Sequence, residues 1–220
     1  MPRGLDHIVH AVRDLDAAAE LYRRLGFTVG ARNRHPRDWG TENHVVQLAG
    51  SFIEVLALAD PTGIAPHAQR SFSFGAHNRD FLELREGLSM IALQGRGAED
   101  AAAFRSAGIG DYQTYDLERE GRRPDGSIVN LGFSLAFACD PGAPEVGFFT
   151  AWHRYPENFW HPDLQRHANT AQAVAAVILV DEDPGRHQGF LSAFAGADHA
   201  EFRPSRGRPT DETSCAIAER

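Results

Sequence analysis

The stretch from Gly4 to Leu58 constrains the fold more than any other part of the chain. It begins with an apolar run of branched residues, typical of a buried strand: Leu5-Asp6-His7-Ile8-Val9-His10-Ala11-Val12. An alanine-rich segment with helical spacing follows. Asp14 or Asp16 can cap this helix, and Gly26 lies where a helix ends in a left-handed residue. Further strands are predicted at 27–29 and, twice, within 41–58, so the order is strand, helix and three strands.

The same order returns after residue 87. Gly87-Leu88-Ser89-Met90-Ile91 aligns with Gly4-Leu5-Asp6-His7-Ile8, and an alanine-rich helix and three further strands follow. We therefore predict an α+β fold of paired βαβββ modules whose curved sheets enclose a cavity, with an extra C-terminal βα unit. The predicted divisions are a first module at 4–58, a linker with a short helix at 59–87, a second module at 88–152, an aromatic loop at 153–173 and a partial third βα unit at 174–220.

The partial third unit is too small to form a core of its own. We expect its strand to dock on a sheet edge, either of its own chain or of a twofold-related copy in a homodimer.

The first module resembles the vicinal oxygen chelate superfamily of glyoxalases, bleomycin-resistance proteins and dioxygenases. The resemblance rests on Leu5-Asp6-His7-Ile8-Val9, on Asp14-Leu15-Asp16 with the helix ending in Leu25-Gly26-Phe27, and on Phe52-Ile53-Glu54-Val55-Leu56. The segment His35-Pro36-Arg37-Asp38-Trp39-Gly40-Thr41-Glu42-Asn43 is similar to the glyoxalase-like domain branch. The resemblance implies a divalent metal ion held by a histidine on the first strand and a glutamate on the last, which are the places of His7 and Glu54.

Strand alternation groups the polar candidates. One face of the first strand is predicted to carry Leu5, His7, Val9 and Ala11. A two-residue turn at Gly50-Ser51 would pair Gln47 with Glu54 and give one shared face to Asn43, Val45, Gln47 and Glu54. A carboxylate inside an apolar strand needs a metal ion, a cationic partner or a polar cavity. Glu54 is therefore the best catalytic candidate, and the alternative is an inert pair with an arginine or with His7.

An aromatic stretch at 152–162 is predicted to close this cavity. The candidate substrate-binding residues are Asn43, Gln47, Phe149, Trp152, His153 and Trp160. The candidate metal ligands are His7 and Glu54, with a third ligand from His153, His161 or His167. The alternative interpretation of this stretch is an ordered connection held by aromatic packing.

The second module departs from the superfamily pattern at both ligand positions. Met90 stands where His7 stands, and Phe149 stands near the place of Glu54. A divalent ion needs more than two protein ligands to be held firmly, unless water fills the remaining positions. This departure separates the chain from the metal-dependent glyoxalases.

Composition excludes several other functions. All 22 basic residues are arginine, so no lysine is present for a pyridoxal phosphate anchor or a phosphate-binding loop. Asp100 replaces the third glycine of a dinucleotide fingerprint, so no nucleotide cofactor is expected. The net charge of −8 argues against nucleic acid, and no apolar run is long enough to span a membrane. Cys139 and Cys215 form no CxxC pair, which fits a reducing cytoplasm.

Three functional hypotheses follow. The leading one is a glyoxalase-like domain protein that binds a small organic molecule in a cavity between the modules, with an unassigned reaction. The second is a metal-dependent lyase, isomerase or dioxygenase that uses His7 and Glu54. The third is a protein that sequesters a toxic compound without chemistry.

Overall fold

The computed structural model describes residues 2–122, 126–196, 200–204 and 213–218. Its strands are β1 Leu5–Ala11, β2 Asn33–Arg34, β3 Thr41–Gln47, β4 Phe52–Leu58, β5 Gly87–Gln94, β6 Tyr115–Arg122, β7 Ile128–Ala138, β8 Gly147–His153, β9 Ala176–Asp181, β10 Ala200–Pro204 and β11 Thr213–Ala218. Its α-helices are α1 Leu15–Arg24, α2 Phe74–Leu84, α3 Ala98–Ser106, α4 Pro156–Phe159 and α5 Gln188–Ala195. None of the helices in this part of the chain is long and apolar enough to cross a membrane.

The main sheet has the strand order β2-β3-β4-β1-β5-β8-β7-β6. In each half the first strand pairs in parallel with the last, β1 with β4 and β5 with β8, and β1 and β5 meet antiparallel at the centre. The two halves are therefore related by an approximate twofold axis between β1 and β5. This curled sheet confirms the predicted α+β class with glyoxalase-like βαβββ modules.

Local sequence signals position α1 as expected. Asp14 caps the helix, because its Oδ1 accepts a 2.9 Å hydrogen bond from the Ala17 amide. Gly26 has a φ of +85°, which suits a glycine after the helix end.

The strand predicted at 27–29 is wrong. The Thr28 amide donates to His167 Nδ1 and the Thr28 hydroxyl donates to the Arg166 carbonyl, so this segment binds the aromatic loop instead of a neighbouring strand. The first strand after α1 begins at Asn33.

The hairpin between β3 and β4 differs from the predicted register by two residues. Gln47 lies opposite Phe52 and Val45 opposite Glu54, so the turn has four residues, closed by a hydrogen bond from the Leu48 amide to the Ser51 carbonyl. Because side chains alternate with a period of two, a slip of two residues leaves every side chain on its predicted face. A slip of one would have separated Glu54 from its partners.

The two faces of the curled sheet bury different cores. On the outer face, Val55 and Ala57 pack under α1, while Phe148 packs under α3 and α5. On the inner face, Phe149 belongs to a second cluster, whose other buried members are Val9, Trp39, Leu56, Phe74, Met90, Ala92, Leu135, Phe137 and Ala151. The inner face leaves space for a cavity beside this cluster.

Within this chain, the described residues of the C-terminal unit do not dock on an edge of the main sheet, and docking on a twofold-related copy stays a prediction. β9 pairs with β11 in a separate three-stranded sheet of order β10-β11-β9, and β11 was missed in the sequence. Phe190 and Phe194 of α5 pack against the Phe148 ring on the outer face. The unit therefore attaches to the outer face through its aromatic helix, and the burial of these rings stabilises the attachment.

Candidate functional site

A cavity lies between the two halves of the main sheet. Its empty space is about 660 Å³, including the open mouth. Its walls are mostly apolar and aromatic, and one end is polar. The lining residues are His7, Asn33, His35, Trp39, Asn43, Val45, Phe52, Glu54, Phe74, Leu117, Arg119, Phe133, Leu135, Phe149, Ala151, His153 and Phe159.

Glu54 is the centre of the polar end, and its side chain is only 7% exposed. Its Oε1 accepts a 2.5 Å hydrogen bond from the Asn43 amide. The same amide nitrogen lies 3.0 Å from His35 Nε2, and His35 Nδ1 lies 2.8 Å from the Thr41 hydroxyl. Asn43 therefore links His35 to one oxygen of Glu54. The other oxygen, Oε2, makes no hydrogen bond to the described residues.

The pKa of His35 is lowered, which keeps this ring neutral near neutral pH. Burial is the main cause, the positive charge of Arg119 and that of His7 in its protonated form add to it, and Glu54 opposes the shift. A neutral His35 can accept from Asn43 at Nε2 and donate from Nδ1 to Thr41, which agrees with the observed contacts.

His7 faces the free oxygen of Glu54. Its Nε2 lies 3.7 Å from Glu54 Oε2, beyond hydrogen-bond distance, and its ring stacks on Phe52 with centroids 4.2 Å apart. On its other side, His7 Nδ1 lies 2.5 Å from Asp6 Oδ1. Since an ionised carboxylate only accepts, His7 Nδ1 is the donor, and the Nε2 atom points at the cavity.

Asp6 links His7 to His153. Burial raises the pKa of Asp6, but its contacts with His153 and His7 outweigh burial and lower the pKa below the ordinary value. His153 Nε2 lies 3.0 Å from Asp6 Oδ2, although the two groups are not aligned as a hydrogen bond. Both ring nitrogens of His153 are buried without a hydrogen-bond partner among the described residues, and the ring lines the cavity.

A bulge in β1 makes the Asp6 bridge possible. The pairing of β1 with β5 shifts register between Leu5 and His7, so Leu5 packs in the outer cluster with Ile8. The predicted shared face of Leu5 and His7 is therefore wrong. An irregular step lets consecutive residues escape strict alternation, which brings the carboxylate of Asp6 beside the ring of His7.

The donor set does not fit a resident metal ion. His7 Nε2 and Glu54 Oε2 could approach one cation, since two bonds of about 2.1 Å can span their separation. Within the described ranges, however, no group of three or more His, Cys, Asp or Glu side chains is arranged to hold a metal ion. His35 Nε2 is already engaged by the Asn43 amide.

The predicted third ligands lie elsewhere. His167 Nδ1 accepts from the Thr28 amide and its Nε2 contacts the Gln47 carbonyl at 2.8 Å, so both nitrogens are occupied. His161 contacts the site only through its backbone amide, which donates to Gln47 Oε1. His153 lines the cavity, but its Nε2 atom lies beside Asp6 Oδ2 and not beside Glu54.

The predicted substrate-binding residues divide into two groups. Asn43, Phe149 and His153 line the cavity. Gln47 does not; its side-chain amide holds the Phe159 carbonyl at 2.7 Å and so fixes the short helix α4 that brings Phe159 over the cavity. Trp160 lies behind the wall, stacked near His153.

The prediction that Trp152 binds substrate in the cavity is wrong, because its side chain lies on the opposite side of β8 and is 46% exposed. Ala151 and His153, its neighbours in the strand, are the ones that line the cavity, so alternation turns the Trp152 side chain away.

Sequence reasoning missed His35, Arg119 and Asp6. His35 lies inside the segment that resembles the glyoxalase-like branch, so the resemblance could have indicated it as a site residue. Arg119 is one of many arginines, and only the position of β6 at the edge of the cavity singles it out. Asp6 could not be found from the sequence, because strict alternation places its side chain on the face of β1 opposite to that of His7.

The approximate twofold axis identifies the counterparts of His7 and Glu54. Ile8 lies opposite Ile91 across the centre of the sheet, so His7 corresponds to Met90. By the same axis Val9 corresponds to Ala92. Val9 lies opposite Glu54 in the first half and Ala92 lies opposite Phe149 in the second, so Glu54 corresponds to Phe149. The second half thus carries two buried apolar side chains in the equivalent positions.

Paired βαβββ modules around such a cavity define a protein of the vicinal oxygen chelate superfamily, as the sequence predicted. A model of the family described as "Glyoxalase-like domain" matches residues 5–194. The chain belongs to this family.

Several solved structures are similar to this chain. A hypothetical protein from Staphylococcus aureus is similar over 96% of this chain and 81% of that chain, with a TM-score of 0.64 and 12% identity. A Streptomyces coelicolor methylmalonyl-CoA epimerase in complex with 2-nitronate-propionyl-CoA covers 70% of this chain and 99% of its own, with a TM-score of 0.47 and 21% identity. A Mycobacterium tuberculosis methylmalonyl-CoA epimerase covers 71% and 92%, with a TM-score of 0.47 and 20% identity. No curated protein matches the sequence.

Proposed function

We propose that this protein binds a small organic molecule in the cavity, with a hydrogen-bond donor of that molecule placed between Glu54 and His7. One observation carries the proposal: Glu54 Oε2 and His7 Nε2 face each other 3.7 Å apart and make no hydrogen bond to the described residues. Two acceptor atoms left this way in a buried place cost free energy. The NH2 group of a ligand amide can donate to both atoms, and a ligand hydroxyl can donate to one of them.

The walls suit an apolar, flat ligand body. The rings of Phe52, Phe149 and Phe159 border the cavity, and Phe133 and Trp39 extend this surface. Ligand sites in proteins commonly combine such apolar walls with a few polar groups that fix orientation. The polar end at Glu54 and the aromatic walls therefore favour a small molecule with an aromatic or similarly apolar body.

Binding of a defined probe tests the proposal. para-Hydroxyphenylacetamide has an apolar ring and a hydroxyl donor. We expect it to shift the ring signals of His7 and His35 in NMR spectra of the wild-type protein. Ala151→Phe fills the cavity from β8, where Ala151 lines the wall, and should abolish these shifts. Glu54→Gln should weaken binding about tenfold, because it replaces an ionised acceptor by a neutral one.

A probe that binds equally well to Ala151→Phe would place binding outside the cavity and contradict the proposal. Leu88→Phe is a matched control, since Leu88 is exposed on β5 away from the cavity and its enlargement should change nothing.

The Asp6–His7 pair favours a second function, proton transfer to or from the bound molecule. A carboxylate that holds Nδ1–H of a histidine leaves Nε2 free to accept a proton, which is the usual arrangement of a histidine base. Glu54 Oε2 lies beside this nitrogen as a second acceptor.

Proton NMR in deuterated water tests for this chemistry. If the protein abstracts protons, the signals of C–H groups next to the carbonyl of small keto acids should disappear as deuterium replaces the hydrogen, and His7→Ala should stop the loss. Tight binding of a panel member without any exchange would assign the cavity to binding or sequestration instead.

A further inference from the structure

We propose that the ligand of this cavity carries a carboxylate and that Arg119 on β6 binds it. This inference rests on the function proposed above and names the chemical class of the ligand. Arg119 lies on the edge strand of the second half, and its side chain lines the cavity together with that of Leu117, two residues earlier on the same face. The acidic residue between them, Glu118, is occupied by Arg154 at 2.8 Å.

The charge of Arg119 has no compensation within the described part of the chain. No carboxylate of these residues lies within 4.0 Å of its guanidinium, and its hydrogen bond, at 3.4 Å, is a long one to the carbonyl of the adjacent Glu120. Burial lowers the pKa of this guanidinium, which shows that the charge is partly desolvated. A desolvated cation without a partner is unfavourable, and a carboxylate from a ligand would remove the penalty.

Among the residues that line the cavity, Glu54 and Arg119 carry opposite charges, and this difference orients the ligand. Glu54 would repel an anionic group, whereas Arg119 attracts one. A ligand with a carboxylate at Arg119, an apolar body on the aromatic walls and a neutral donor at Glu54 satisfies every group named. A singly charged carboxylate matches the single charge of Arg119 and the flat fork of its guanidinium, while a phosphate dianion would leave excess negative charge near Glu54.

A matched pair of probes tests the carboxylate. para-Hydroxyphenylacetate and para-hydroxyphenylacetamide have the same ring and hydroxyl and differ in the anionic group alone. By calorimetry and by the NMR signal of His7, we expect the wild-type protein to bind the acid at least about tenfold more tightly than the amide. Arg119→Gln should abolish this preference by lowering the affinity for the acid, and Arg119→Lys should restore part of it.

Arg34→Gln is the control, since Arg34 lies on β2, the opposite edge strand, with a side chain that is 81% exposed. This variant should keep the preference for the acid. Equal binding of acid and amide to the wild-type protein, with a shifted His7 signal, would overturn the role of Arg119 and leave the proposed small-molecule site intact. If neither probe moves the His7 signal, the proposed function fails for ligands of this kind, and the carboxylate subsite fails with it.

Discussion

The two halves of the main sheet have the same backbone plan and opposite chemistry at the centre of the cavity. In the first half, His7 and Glu54 face each other across a 3.7 Å gap. In the second half, the equivalent Met90 and Phe149 are each 1% exposed and belong to an apolar cluster. The βαβββ fold therefore does not determine a polar site by itself. Two side chains in each half decide whether that half stabilises the core or binds a ligand.

Asp6 marks a second difference between the halves. The counterpart of Asp6 is Ser89, whose hydroxyl donates to Asn78 at 2.7 Å within the core. Asp6 instead contacts His7 and His153, both of which border the cavity. The first half therefore supports its ligand-facing histidine with a buried carboxylate, and the second half has no such arrangement at the equivalent position.

Phe149→Glu should have the largest effect, because it tests whether the second half tolerates the chemistry of the first. The variant removes a buried ring and places a second buried carboxylate in the cavity that Glu54 already lines, 5.2 Å from the His7 ring as measured between the ring centroids of Phe149 and His7. We expect the free energy of unfolding to fall by about 4 kcal/mol, measured by urea denaturation at neutral pH. Phe149→Leu, which stays apolar, should cost about 1.5 kcal/mol or less. An unchanged urea midpoint in Phe149→Glu would break the comparison.

Asp6→Asn should come next, with a loss of about 2–3 kcal/mol at pH 7, because His7 and His153 lose a shared ionised partner. The pKa of Asp6 is lowered in the fold from an ordinary value of 3.8, so its stabilisation is present above that value and disappears as pH falls through the folded pKa. Urea midpoints between pH 7 and pH 2 should therefore converge for wild type and Asp6→Asn. Parallel curves down to the lowest pH would contradict this role.

His35→Asn should have a smaller, pH-dependent effect. The pKa of His35 is lowered from 6.5, so the fold favours the neutral ring, and this contribution is complete above 6.5 and declines as pH falls through the folded pKa. Thermal unfolding should show that wild type loses more stability than the variant between pH 7 and pH 5. The expected difference is on the order of 1 kcal/mol. If both proteins lose the same amount, His35 is not held neutral by burial.

Glu54→Gln should change stability least, by about 0.5 kcal/mol or less in either direction, since the amide keeps the shape and the Asn43 contact while removing a buried charge. Its clear effect should be on His35. Glu54 raises the pKa of that ring, so the variant should lower the pKa further in an NMR titration. An unchanged pKa of His35 would show that Glu54 and His35 do not interact electrostatically, which would contradict this description of the polar end.

The internal repeat and the resemblance to the vicinal oxygen chelate superfamily predicted the fold, and the resemblance implied the pair His7 and Glu54. Strand alternation placed Glu54 with Asn43 correctly despite a hairpin register two residues out. The same alternation, followed from Phe149, excludes Trp152, which we had included from the density of aromatic residues alone.

Other features of the site depend on pairing between distant segments. The bulge at Leu5 follows from how β1 meets β5, and the position of Arg119 follows from which strand lies at the edge. His167 looked available as a ligand until the 27–29 segment and the Gln47 carbonyl were found to occupy both of its nitrogens. Spacing along the chain carries no information about such contacts, so these residues could be placed only by the structure.

Metal analysis of untagged protein, purified without chelators, tests the central claim most directly. His7 and Glu54 offer two possible ligand atoms, and the equivalent positions of the second half hold Met90 and Phe149. Two protein ligands do not hold a divalent ion firmly. We therefore predict far less than stoichiometric metal in the wild-type protein, and no decrease in His7→Ala or Glu54→Gln. A stoichiometric ion in the wild type that disappears in both variants would contradict the account.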